Sequence, residues 1–179
     1  MNIVAKFEKV SFEQFKKDWL EKNPTTKTNW SEEEIKEIYD NIILPKRGTV
    51  GSAGYDIYAP TDIRLPYGND CVVPTGLRCK IKDSWFLDIN PRSGHGFKLG
   101  ISLANTRGII DTDYYGADNE GHIMVKIVNN NHAVNYLEKP FMMENGKAFC
   151  QGIFTIYGIT EDDATTEERT GGFGSTDKK

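Results

Sequence analysis

Cysteine is scarce in this chain of 179 residues: only Cys71, Cys79 and Cys150. An odd number without metal-ligand spacing builds neither a disulfide framework nor a thiolate metal site. It reads as reduced thiols in a cytoplasmic protein. Long hydrophobic runs are missing too; none reaches the ~18 residues that span a bilayer. The opening "MNIVAKFEKV" has neither the apolar stretch nor the cleavage site of a signal peptide. Basic charge is not in excess: 22 Lys and Arg stand against 26 Asp and Glu, a net charge of −4. That argues against a nucleic-acid-binding face. It also sets a condition. A polyanionic ligand must be neutralised by local cations, backbone N–H groups or a bound metal, because the overall field does not attract it. No repeat of 20–50 residues is visible.

What is present suffices for one soluble domain spanning 1–179, with 38% apolar residues. "NIVAKFEKV" reads as a first strand. Two helical patterns follow within about residues 11–43. In "SFEQFKKDWL", Phe12, Phe15 and Trp19 recur at helical spacing; in "SEEEIKEIYDNII", Ile35, Ile38, Tyr39, Ile42 and Ile43 form one stripe. Each opens on a capping-box pattern, Ser11 with Gln14 and Ser31 with Glu34. From "LPKRGT" onward, turn signals recur every ten residues or so. Ile123, Val125 and Ile127 share one strand face; Phe149, Gln151, Ile153 and Thr155 share another. Many short strands at this spacing predict an all-β sandwich or barrel. Residues 160–179 return to polar, glycine-rich sequence and read as a mobile tail.

Five stretches carry chemistry, and each has a plainer reading beside it. In "GSAGYDIYA", Asp56 is either a site carboxylate or a turn residue that bonds its own backbone. In "PRSGHGFKLGI", Arg92 offers a planar fork of donors suited to phosphate and Ser93 adds a hydroxyl. Gly94 and Gly96 permit close backbone approach, and His95 shapes the loop; the alternative is a surface turn. In "NTRGIIDTDYYG", Ile109 and Ile110 deliver Asp111 to the end of a hairpin. On a strand Asp113 would share its side, and Tyr114 follows. One carboxylate would serve as general base on water and the ring would pack against a flat ligand, or the whole is a polar turn. In "GKAFCQGIF", Gln151 interrupts an apolar strand and either satisfies backbone or faces a site. In "RTGGFGST", backbone donors can cradle an anion, Arg169 adds charge, Phe173 offers a stacking face, and Ser175 and Thr176 add donors. That tail reads as a lid over an aromatic anion such as a nucleotide, or as plain disorder.

Taken in order, "AGYD", "PRSG", "GIIDTDYYG", "GKAFCQ" and "GGFGST" resemble the five motifs of the trimeric dUTP diphosphatase (dUTPase) family. The resemblance implies a jelly-roll-like β-barrel of the dUTPase type, assembled as a homotrimer with active sites between subunits. It implies hydrolysis of dUTP to dUMP and pyrophosphate with Mg²⁺, supplying dUMP for thymidylate synthesis. By position, Asp111 matches the catalytic aspartate that activates the water attacking the α-phosphorus. Tyr114 matches the tyrosine beneath the deoxyribose, where a 2′-hydroxyl has no room. Asn105 matches a uracil-reading asparagine, and the hairpin backbone around it, Ile110 included, reads the base edge. A mismatched hydrogen-bond pattern at such a site discriminates by ~10⁴. Arg92, Ser93 and Gly94 match the phosphate motif, with Ser93 near the α–β bridge. Gln151 matches a phosphate-side or metal-water contact, and Asp56 an aspartate reaching the metal through water. Arg169, Phe173, Gly174, Ser175 and Thr176 match the closing tail.

Four features depart from that pattern. Glu168 stands where the family usually has the tail arginine, and Arg169 is one place later. Ala148 replaces a frequent arginine. "ADNEGH" is inserted after Gly116, and the helical segment 11–43 is an insertion after the first strand. Helical additions of this kind are found in phage or prophage members of the family. The segment is either packing for the subunit or a docking surface for a regulatory protein. Two other functions fit less of the sequence: a deaminase of the dCTP deaminase type, and a binding protein switched by its nucleotide.

Overall fold

The computed structural model describes residues 2–131, 140–167, 169 and 171. Strand β1 (Ala5–Lys9) leads into helices α1 (Phe12–Lys22) and α2 (Glu32–Asp40). Short strands then dominate. They are β2 (Lys46–Arg47), β3 (Tyr55–Tyr58), β4 (Ile63–Leu65), β5 (Asp70–Pro74), β6 (Leu77–Ile81) and β7 (Trp85–Pro91). After a short helix α3 (Ser93–Leu99) come β8 (Ile101–Leu103), β9 (Gly108–Ile110) and a 3₁₀ turn at Asp113–Gly116. The last strands are β10 (Met124–Asn129), β11 (Phe141–Met143) and β12 (Ala148–Ile156). Among the described residues no helix is long and apolar enough to cross a membrane.

The strands pair antiparallel in four sheets, ordered β1-β6, β5-β10-β8, β11-β4 and β2-β3-β12-β7-β9. Short strands and alternating side chains let these sheets wrap one apolar core, as the turn spacing predicts. On β10, Val125 and Ile127 point inward while Lys126 points out. On β6, Leu77, Cys79 and Ile81 do the same. The three cysteines are unpaired thiols. Burial pushes Cys71 and Cys79 up to about 12 and Cys150 further, so they pack rather than react.

Both helices belong to this core. Phe15, Trp19 and Ile35 are buried in the same cluster as the barrel residues. Gly76 is why they dock so closely: its φ is +72°, and a Cβ there would stand 2.1 Å from Ile42 Cδ1. The expected stripe on α2 stops short, because the helix ends at Asp40 and leaves Ile43 exposed. The Ser31–Glu34 capping box forms in full. The Ser11–Gln14 box forms by half. Ser11 Oγ accepts from the Gln14 N–H (3.1 Å), but the Gln14 amide turns to Asp18. The Ser11 N–H donates instead to Glu120 Oε2, at 2.7 Å.

Two strand expectations need correction. A β-bulge between Ala148 and Cys150 shifts the register of β12 against β3. Phe149 therefore joins Ala148 and Cys150 in the interior instead of sharing the face of Gln151. And β8 and β9 are not a paired hairpin: β8 bonds β10 in one sheet and β9 bonds β7 in another.

Candidate active site

The sequence-predicted residues gather in two clusters. The first forms where β3, β7 and β12 run side by side. The bulge sets Gln151 opposite Asp56 on β3 and opposite Asn90 on β7. Gln151 Nε2 donates to the Pro91 carbonyl (3.3 Å). Arg92 directly follows that strand; its Nε lies 3.3 Å from Asp56 Oδ1 and Nη1 donates to the Ala148 carbonyl. Gly54 leaves room for the Gln151 amide here: a Cβ would come within 2.5 Å of Gln151 Oε1 and push that side chain aside. Ser93 and Gly94 open α3 with their backbone exposed. A Cβ on Gly94 would meet nothing of this chain. His95 holds the turn, with Nδ1 3.1 Å from the Phe149 carbonyl and its ring edge-on to Phe141.

The hard-oxygen donors in this cluster are one carboxylate, Asp56, and one amide, Gln151. Among the described residues no group of three or more His, Cys, Asp or Glu stands together as a metal cage. Such a sparse set fits an ion like Mg²⁺, which keeps several waters and takes other oxygens from phosphate.

The second cluster lies past β9. Asp111 follows Ile110 and is half exposed. Burial raises its carboxyl above the ordinary aspartate range; Arg169 opposes the rise and Asp113 adds to it. Asp113 begins the 3₁₀ turn instead of sharing a strand face with Asp111, because regular pairing ends at Ile110. Arg169 Nη2 stands 3.5 Å from Asp111 and Nε 3.8 Å from Asp113, with its guanidinium 5.4 Å from the centre of the Tyr114 ring. The Tyr114 ring is buried and its hydroxyl donates to the His122 carbonyl at 2.9 Å.

Beside Asp111 opens a cavity of about 560 Å³, lined by Ile89, Leu103, Asn105, Gly108, Ile110 and Lys22, among others. Among the described residues β8 and β9 are each an edge strand. Leu103 at the end of β8 and Gly108–Ile110 of β9 line this cavity, so two strand edges flank it, a backbone frame able to read a planar heterocycle. Lys22, at the end of α1, was not singled out from the sequence; neither were Ile89 and Leu103. The two apolar residues carried only a core signal, and Lys22 none beyond a helix-ending charge.

The two clusters are far apart on one chain. Ile110 pairs with Leu87 and Asp111 follows it beyond the ladder, whereas Arg92 follows Pro91 at the other end of β7. Between those two anchor points the strand, residues 87–91, spans on the order of 13 Å at ~3.3 Å per residue. Phe173, Gly174, Ser175, Thr176 and Glu168 lie outside the described residues.

The dUTPase family model matches residues 40–177, which contain both clusters. The deoxyuridine 5'-triphosphate nucleotidohydrolase of Lactococcus lactis is 37% identical over 148 residues, covering 80% of this chain and 95% of the relative. The dUTPase of Streptococcus mutans superposes with a TM-score of 0.60 at 32% identity, over 68% of this chain and 91% of that one. A mutant dUTPase of phage 80alpha shares the fold at 17% identity and a TM-score of 0.61, over 98% of this chain and 99% of that one.

Proposed function

Since this chain belongs to the dUTPase family, we propose that it hydrolyses dUTP to dUMP and pyrophosphate. The observation that carries the reading is the cavity lined by Leu103, Asn105 and Gly108 to Ile110, with the half-buried carboxylate of Asp111 following directly on Ile110. Uracil enters between β8 and β9. Asn105 and the backbone from Gly108 to Ile110 read its edge; thymine's methyl finds no room and cytosine presents a donor where an acceptor is needed. Tyr114 lies under the deoxyribose. Arg169, now against Asp111 and Tyr114, moves onto the phosphates as the sugar takes that place.

Asp111 accepts a proton from water as the water oxygen attacks the α-phosphorus. The bond from that phosphorus to the α–β bridging oxygen breaks, and pyrophosphate leaves. Arg92 neutralises phosphate oxygens, and Ser93 donates to the bridging oxygen as it gains charge. Asp56 and Gln151 would hold Mg²⁺, which would supply charge neutralisation on the triphosphate. This local positive charge offsets a protein of net charge −4.

The distance between Asp111 and Arg92 favours sites completed by another copy. Exposed apolar side chains suit that assembly: Val50, Phe97, Ile109 and Ile159 are 83%, 94%, 55% and 76% exposed on one chain. A homotrimer with shared sites brings the Arg92 cluster of one subunit to the Asp111 cluster of its neighbour. Residues 160–179 then close over the bound nucleotide, Phe173 on the base, Gly174, Ser175 and Thr176 at the γ-phosphate. The unpaired thiols suit the cytoplasm.

The test is pyrophosphate release from dUTP, dCTP, UTP and dTTP with Mg²⁺, for wild type and Asp111→Asn. Turnover of dUTP alone, abolished in the variant, is the expected result. No turnover by folded wild type overturns the reading.

A further inference from the structure

The loop between the 3₁₀ turn and β10, residues 117–122, lies on α1. At one end Glu120 accepts from the Ser11 N–H (2.7 Å) and the Ser11 hydroxyl (2.6 Å), and Arg78 stands 3.7 Å away. At the other end Asp18, on α1, meets His122. Both side chains are buried, and Asp18 Oδ2 is 2.6 Å from His122 Nδ1. His122 Nε2 accepts from the Gly76 N–H at 2.8 Å, which puts the ring proton on Nδ1, donating to Asp18. Burial opposes ionisation of Asp18, yet hydrogen bonds from His122 and Gln14 hold its carboxyl below the usual range. The imidazole is thus pinned from both sides.

Its own backbone is pinned with it. The His122 carbonyl accepts from the Tyr114 hydroxyl (2.9 Å), and Asn119 Nδ2 donates to that same hydroxyl (2.8 Å). Burial pushes the Tyr114 phenol up to about 12, so it stays a donor at any working pH. Gly121 lets the loop lie directly on the 3₁₀ turn. Its φ is +69°, and a Cβ would come within 2.6 Å of the Tyr114 carbonyl.

We propose that α1 positions Tyr114, through Asp18, His122 and the loop 117–122, and so sets how strictly the enzyme rejects a 2′-hydroxyl. This rests on the reading of Tyr114 as the floor of the deoxyribose. The physical reason is that a sugar floor discriminates only if it cannot sink. A ring held by one hydroxyl contact yields; a ring whose acceptor is locked to a buried carboxylate–imidazole pair does not. Asp18 and His122 touch no substrate and act as positioning residues.

The experiment compares kcat/KM for dUTP and for UTP in wild type, Asp18→Ala, Gly121→Ala and Tyr114→Ala, each at a temperature where its thermal melt shows it folded. The expected result is a dUTP/UTP ratio lowered about tenfold in Asp18→Ala and Gly121→Ala. A ratio unchanged in both, beside a collapsed ratio in Tyr114→Ala, overturns the proposal and leaves α1 as packing alone. An unchanged ratio in Tyr114→Ala instead removes the sugar-floor reading beneath it. If Asp18→Ala does not fold, Glu120→Ala, at the more exposed end of the contact, takes its place with the same criterion.

Discussion

Asp111 and Arg92 stand at opposite ends of β7: the first just past Ile110, which pairs with Leu87, the second just past Pro91. In the proposed shared site a nucleotide held by both bridges two subunits. An equal mixture of Asp111→Asn and Arg92→Ala subunits, each inactive alone, should regain activity after unfolding and reassembly. Random assembly pairs an intact Asp111 with an intact neighbouring Arg92 in roughly a quarter of the sites. A mixture that stays inactive while forming the native oligomer would place both residues in one subunit's site.

Asp113 should tune the base. Its charge helps hold the Asp111 carboxyl above the ordinary range, after burial. Asp111 must be ionised to take a proton, so Asp113→Asn should move the acid limb of kcat/KM to lower pH. Removal of the guanidinium in Arg169→Ala should move it to higher pH. The pH profiles of the two variants, read side by side, check the sign.

Asp111→Asn should be more heat-stable at neutral pH. A folded-state value above the unfolded one means that ionising Asp111 costs stability. The cost appears as pH rises through the ordinary carboxylate range and is complete above the folded-state value. The neutral amide never incurs it. Melting curves at pH 3 and pH 8 should show a larger gain over wild type at pH 8.

Gly54→Ala should separate activity from stability. Its Cβ would approach Gln151 Oε1 to 2.5 Å, but that atom ends a flexible side chain and can swing away. The cost in stability should stay below about 1 kcal/mol. Gln151, moved off the Asp56 side of the site, should then cost about tenfold in kcat. Denaturant unfolding beside steady-state kinetics reads both.

Phe15→Ala should show that the helices carry subunit stability. Phe15 is fully buried, 5.4 Å ring-to-ring from Trp19 and 6.1 Å from His122. Its truncation should cost about 3–5 kcal/mol in equilibrium unfolding. A loss below 1 kcal/mol would mean that α1 lies loosely on the barrel.

Much was legible from local pattern. Phe15, Trp19 and Ile35 announced two amphipathic helices, because helical spacing is written within a dozen residues. Val125 and Ile127 announced an inward strand face in the same way. The five motifs were legible because each packs its chemistry into a few consecutive residues, as with Arg92 beside Ser93 or Asp111 beside Tyr114. What local pattern could not carry was pairing over long separations. Nothing near Phe149 signals the bulge that turns it inward, since a bulge arises from two strands' registers together. Nothing near Ile101 or Gly108 says that β8 and β9 join different sheets and leave their edges facing a cavity. Asp18 and His122 are 104 positions apart. Each alone is an ordinary polar residue, and only the closed chain, excluding water from both, makes them a pair that holds Tyr114 in place.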